Sequence, residues 1–177
     1  ISGPGLINVN AQGRWNVDIS GVYLSRGANM VTSCGIDWGD GSPVSIAQYV
    51  RSDNPCSLGH TYTSTRRGNF VLTAIVTLAG GATDSLTLPV AVNNPPTISG
   101  VVGPTSLKVG QPGTWVVSAT DLDGDVLLYS LSGIGFNGYV TQLVAPQSGS
   151  SLIYTPLAPF APARYRFTVS DGRGGSV

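Results

Sequence analysis

Gly3-Pro4, Val9 and Gly13-Arg14-Trp15-Asn16-Val17 return as Gly103-Pro104, Val109 and Gly113-Thr114-Trp115-Val116-Val117, at a constant offset of one hundred residues. The chain therefore holds two copies of one module. A period of that length is too long for a helical or leucine-rich solenoid unit and suits one β-sandwich per copy. Arrays of such modules span distance, present surfaces and bind through loops, so a binding or scaffold role leads over catalysis.

Composition narrows the class. The 24 glycines and 12 prolines are many for 177 residues, and the apolar runs are rich in Val, Thr, Leu and Tyr. None keeps a 3.6-residue period for three turns, so the reading is all-β. Charged residues are only 10% of the chain, and nine basic side chains cancel nine acidic ones. No basic field is present to attract nucleic acid or anionic lipid. The longest apolar stretch, Phe70 to Ala82, is broken by Thr73, Thr77, Gly80 and Gly81, which excludes a membrane-inserted helix there. The chain begins at Ile1 with no charged leader, so any export signal is expected to be removed or to lie outside this segment.

Strands are expected near Ile7–Asn10, Trp15–Ile19, Thr32–Trp38, Val44–Val50, Leu58–Thr63, Asn69–Leu78 and Ser85–Val92, which completes a seven-stranded sandwich over residues 1–92. Asn93-Asn94-Pro95-Pro96 follows as a stiff linker, because consecutive prolines hold the chain extended. Over 97–177 the strands are Ser106–Val109, Thr114–Thr120, Val126–Leu131, Tyr139–Ala145, Ser151–Thr155 and Ala163–Ser170. The fold class is thus two tandem immunoglobulin-like β-sandwiches. Aligning Gly80-Gly81 with Gly174-Gly175 leaves no counterpart of Asp84–Val92, so the second sandwich is expected to lack its last strand.

Two family resemblances rest on specific residues. Ile36-Asp37-Trp38-Gly39-Asp40-Gly41-Ser42, His60-Thr61-Tyr62 and Gly68-Asn69-Phe70 resemble the PKD domain, with its Gly-Asp-Gly hairpin, His-Thr-Tyr segment and Gly-x-aromatic strand. Ala119-Thr120-Asp121-Leu122-Asp123-Gly124-Asp125, Tyr154-Thr155-Pro156 and Phe167-Thr168-Val169-Ser170-Asp171-Gly172 are similar to bacterial cadherin-like and Ig-like repeats of large secreted surface proteins. The chain departs from that second pattern at Pro159–Ala163, where the family has an acidic residue and Gly. Both resemblances imply non-enzymatic spacers, adhesive repeats or appendages of secreted hydrolases.

The candidate chemistry is sparse. Trp15 and Trp115 alternate with Val17 and Val117, as core residues do, which outweighs reading them as sugar platforms. His60 is the only histidine, so a multi-histidine metal centre is excluded. A triad with Asp37 or Asp53 lacks a serine in a nucleophile elbow, so no catalytic residue is assigned. Asp37 and Asp40 are expected on a hairpin tip facing water. Cys34 and Cys56 are either two buried thiols or a disulfide; the disulfide is favoured because it ties the insertion 47–58 to a central strand and suits an extracellular protein. Asp121, Asp123 and Asp125 form the strongest signal. Three carboxylates in five residues need a cation or full solvation, and oxygen ligands select Ca²⁺. Sandwich topology is expected to bring Asp171 to them, with Asn93 or Asn94 nearby, giving a junctional calcium site; the alternative is a solvated Asx-rich turn.

The resulting expectation is a structural and adhesive module of a secreted or cell-surface repeat protein, a stiff spacer whose partners are neighbouring repeats or subunits, a polysaccharide or a cell-surface protein. Calcium is the one cofactor entertained. The alternatives are an accessory module of a secreted hydrolase, with Tyr23, Tyr49, Phe136, Tyr139 or Phe160 stacking on substrate, and a subunit of an extracellular fibre or virion decoration.

Overall fold

A computed structural model describes residues 1–19, 30–48, 56–63, 68–157 and 164–177. The described residues form thirteen β-strands and no helix, in two compact units, Ile1–Asn93 and Asn94–Val177.

In the first unit, β1 (Leu6–Asn8), β3 (Val31–Asp37), β4 (Ser45–Gln48), β6 (Gly68–Leu78) and β7 (Thr83–Asn93) form a five-stranded sheet in the order β1-β7-β6-β3-β4. A two-stranded sheet pairs β2 (Gln12–Val17) with β5 (Cys56–Thr61). Strand β2 shows why these residues form a strand: burial alternates strictly, with Gly13, Trp15 and Val17 inward and Gln12, Arg14 and Asn16 outward. Trp15 meets Trp38 at 5.3 Å between ring centroids, and Leu72, Ile36 and Val90 fill the same core. A disulfide joins Cys34 on β3 to Cys56 on β5, with Cα atoms 6.1 Å apart, and so ties the two sheets together.

In the second unit, β10 (Leu128–Ile134), β11 (Val140–Gln147) and β13 (Arg164–Ser170) form one sheet in the order β11-β10-β13. The other holds β8 (Thr97–Val102), β9 (Gly113–Thr120) and β12 (Ser151–Tyr154) in the order β12-β9-β8. Trp115 on β9 packs against Tyr165 and Phe167 on β13, at 5.2 and 6.0 Å, over Leu131, Leu152 and Val169.

The sequence repeat has a shared physical cause. The Trp15 indole N–H donates to the Pro4 carbonyl at 3.3 Å, and that of Trp115 to the Pro104 carbonyl at 3.2 Å. A Cβ on Gly3 or on Gly103 would collide with the indole ring of its own module. Each copy therefore needs Gly-Pro followed eleven residues later by Trp: the proline carbonyl satisfies a buried donor, and the glycine lets the backbone approach the ring.

Two expectations about the second unit change. Ser106–Val109 is not a strand, and the first strand is β8, which pairs antiparallel with β9. In the first unit the equivalent segment becomes β1 by pairing in parallel with β7 (Leu6 with Ala91). No strand plays that part among the described residues of the second unit. At its C-terminal end, Ser176 bridges Ser170, and Val177 exchanges both backbone hydrogen bonds with Val169 at 2.9 and 3.0 Å, so the chain turns back along β13.

Candidate functional site

The loop from β9 to β10 begins where the apolar alternation of β9 stops, at Asp121. Its three aspartates each offer a carboxylate oxygen within 4.8 Å of the others. Asp121 Oδ1 accepts the backbone N–H groups of Asp123 (2.8 Å) and Asp125 (3.3 Å), which curls the loop around its own carboxylate. Asp123 is held from another direction: Asn94 donates its backbone N–H to Oδ2 at 2.6 Å and its side-chain amide to Oδ1 at 3.0 Å. Asp125 Oδ1 accepts from Arg173 Nε at 3.2 Å. Asp121 Oδ2, Asp125 Oδ2 and Asn94 Oδ1 remain buried without a hydrogen-bond partner.

Electrostatics make this loop expensive without compensation. Like charges about 4 Å apart repel by about 1 kcal/mol in water and by several times that where solvent is partly excluded. One guanidinium, that of Arg173, offsets part of this. The gathered carboxylates offer only oxygen, the ligand type that suits a hard cation, and three buried oxygens of this region lack a donor. Asp171, expected as a fourth ligand, is buried and spends Oδ1 on the backbone N–H groups of Arg173 (2.7 Å) and Gly175 (2.9 Å), closing the turn after β13. Asn93 belongs to the first unit, where its amide donates to Asn8 Oδ1 at 3.0 Å. Asn94 is the asparagine that reaches the aspartates. Arg173 escaped the sequence reading, although a lone cation two residues from Asp171 is the signal that marks it.

The Asp-Gly hairpin of the first unit differs from expectation. Asp40 does not face water: it is 6% exposed, and its Oδ2 lies 3.0 Å from His60 Nε2. Its Oδ1 accepts from the Ser42 backbone N–H (2.9 Å) and hydroxyl (2.6 Å). Burial works against the charge on Asp40, but the Ser42 hydroxyl and N–H and the His60 ring together outweigh it and hold the carboxyl below its ordinary value. An ionised Asp40 only accepts, so His60 carries its proton on Nε2. His60 stacks on Trp38 (4.6 Å, 7° between planes) and meets Tyr62 edge-on at 4.6 Å. The Tyr62 hydroxyl donates to the Trp38 carbonyl at 3.0 Å, and burial, with Asp40 adding to it, pushes this phenol well above its usual range. Gly39 takes φ 74° against the Val71 backbone, where a Cβ would sit 2.5 Å from the Val71 carbonyl oxygen. Asp37 Oδ1 caps the Gly39 N–H at 2.9 Å. The chemically capable side chains of this hairpin are thus engaged with one another and with the backbone.

Of the aromatics considered for stacking, Phe136 and Tyr139 are exposed on the turn between β10 and β11. Tyr23, Tyr49, Phe160 and Asp53 lie outside the described residues, as does the departure at Pro159–Ala163. Among the described residues no helix is long and apolar enough to cross a membrane.

The chicken CNTN1 FN1–FN3 domains resemble this chain with a TM-score of 0.50 and 12% identity, over 99% of this chain and 62% of that one. The insect immune protein hemolin aligns at a TM-score of 0.44 and 14% identity, over 100% of this chain and 43% of its own. The chain therefore spans less than two thirds of the length of these structures, and at 12% identity the likeness to the CNTN1 domains is one of fold alone. No curated protein matches the sequence. Residues 87–177 match the family model described as a bacterial Ig domain; that stretch is just over half of the chain and contains β8 to β13 with the aspartate loop, and the chain accordingly belongs to the bacterial Ig domain family.

Proposed function

We propose that this chain is a non-catalytic structural and adhesive module of a secreted or cell-surface protein, a stiff spacer built from a PKD-like and a cadherin-like sandwich. The observation that carries this reading is the link: β7 ends at Asn93 and β8 begins at Thr97, so only Asn94, Pro95 and Pro96 connect two separately cored units. Two of those three residues have their φ fixed, and the third is held by both oxygens of Asp123. Such a link swings far less than a glycine-rich one of equal length. The PKD reading is supported by the way Trp38, Asp40, His60 and Tyr62 form one bonded cluster.

Calcium fits the same reading. Asp121, Asp125 and Asn94 would hold it through the buried oxygens that lack donors, and it would supply positive charge to a loop that Arg173 neutralises only in part. The spacer role is tested by single-molecule FRET between dyes in the two units. Replacing Pro95-Pro96 with Gly-Gly should broaden the distance distribution markedly. Equal widths for the two proteins would refute a stiff link.

A further inference from the structure

The turn joining β10 to β11 displays two large rings that the core does not need. Phe136 is 90% exposed and Tyr139 76%. The turn is nevertheless well ordered by its own bonds. Gly135 N–H donates to the Tyr139 carbonyl (2.9 Å), Gly138 N–H to the Gly135 carbonyl (3.0 Å), and Tyr139 N–H to Asn137 Oδ1 (3.2 Å). Rings presented on a preformed backbone lose little further freedom when they bind, and their apolar faces are available to be covered.

Beside the turn lies a hollow of about 240 Å³. Strand β10 points Tyr129, Leu131 and then Gly133 inward, and Gly133 and Gly135 both line the hollow without a side chain to fill it. Tyr139 and the half-buried Tyr154 of β12 line it, with Leu143 also contributing. The polar groups at its edge are the Thr141 hydroxyl and the Asn137 amide. Each lining side chain is apolar or neutral.

This combination selects a ligand class. An acidic or basic ligand would give up hydration here without meeting an opposite charge. A protein partner needs roughly 800 Å² on each side, far more than a hollow of this size offers. A pyranose ring matches it: its C–H face lies on an aromatic ring while its hydroxyls meet the hydroxyl and amide, which donate and accept. We propose that the hollow beside the β10–β11 turn binds a neutral sugar unit of a polysaccharide, stacked against Tyr139 and Tyr154, with Phe136 extending the contact along the polymer. The site lies within the second unit and is independent of the spacer reading.

The test is affinity electrophoresis of the whole chain in native gels containing hydroxyethylcellulose, xylan, glucomannan or laminarin, with polygalacturonate as an acidic comparison. Retardation is expected in at least one neutral polymer. Tyr139→Ala should weaken that binding by about tenfold or more with an unchanged melting temperature, because the ring is exposed. Gly133→Val, which fills the hollow, should abolish it. Absence of retardation by all four neutral polymers, retardation by polygalacturonate alone, or equal retardation of wild type and Tyr139→Ala would overturn the proposal. So would sedimentation showing that Tyr139 instead mediates self-association without any polysaccharide binding.

Discussion

At the scale of single residues, the first unit is organised around Asp40, whose charge is kept in a nearly closed site by donors from Ser42 and His60. A carboxyl held below its unfolded-state value contributes stability that is complete above about pH 4 and drains away as pH falls through the folded-state value. Acid should therefore weaken the first unit as pH falls below the ordinary carboxylate range, about pH 4. Asp40→Asn keeps the size but not the charge, leaving the His60 N–H and the Ser42 donors imperfectly matched. At pH 7 it should cost about 1–3 kcal/mol, and the acid limb of stability should flatten. Urea unfolding followed by tryptophan fluorescence at pH 7, 4 and 3 measures both, and parallel pH dependences for wild type and variant would show that Asp40 is not the group responsible.

Among the elements, the β9–β10 loop is the one on which the calcium proposal rests. Its aspartates are gathered and its buried oxygens lack donors, so a cation that binds only the folded loop should stabilise the second unit by mass action. Calcium at one hundred times its dissociation constant is worth about 2.7 kcal/mol. Millimolar calcium should raise the melting temperature of wild type but not of Asp125→Asn, and identical melting curves in calcium and in chelator would reduce the loop to a solvated turn. Strands and this loop were legible in the sequence for a common reason: β2 and β9 alternate strictly, and Asp-x-Asp-Gly-Asp ends that alternation abruptly. What was not legible depends on partners distant in sequence. Ser106–Val109 reads like Leu6–Val9, yet β1 forms only because β7 lies beside it, and periodicity carries no information about a neighbour. Thr97–Val102 was missed because Gly100 interrupts its pattern at an irregularity in the β8–β9 register. Asp-Gly marks an exposed turn in most hairpins and so puts Asp40 in water, whereas here His60, twenty residues away, closes over it.

For the whole molecule, two units with separate cores imply two separate unfolding events, and their sizes can be derived from the chain. Among the described residues, the first core buries thirteen apolar side chains and the second six, and only the first is crossed by a disulfide. Closing a loop over a sequence separation of 22 contributes about 3 kcal/mol on the chain-entropy model. The second unit should therefore yield first, both on heating and under load. Pulled from its ends, the oxidised first unit keeps the segment between Cys34 and Cys56 locked, so it releases less chain than its length implies. With reductant present, that event should lengthen by about 75 Å, at roughly 3.4 Å per freed residue, while the event from the second unit stays unchanged. Force spectroscopy of the chain between two marker domains resolves such a difference. A single cooperative event, or two events both indifferent to reductant, would be incompatible with two independently cored sandwiches of which one is cross-linked.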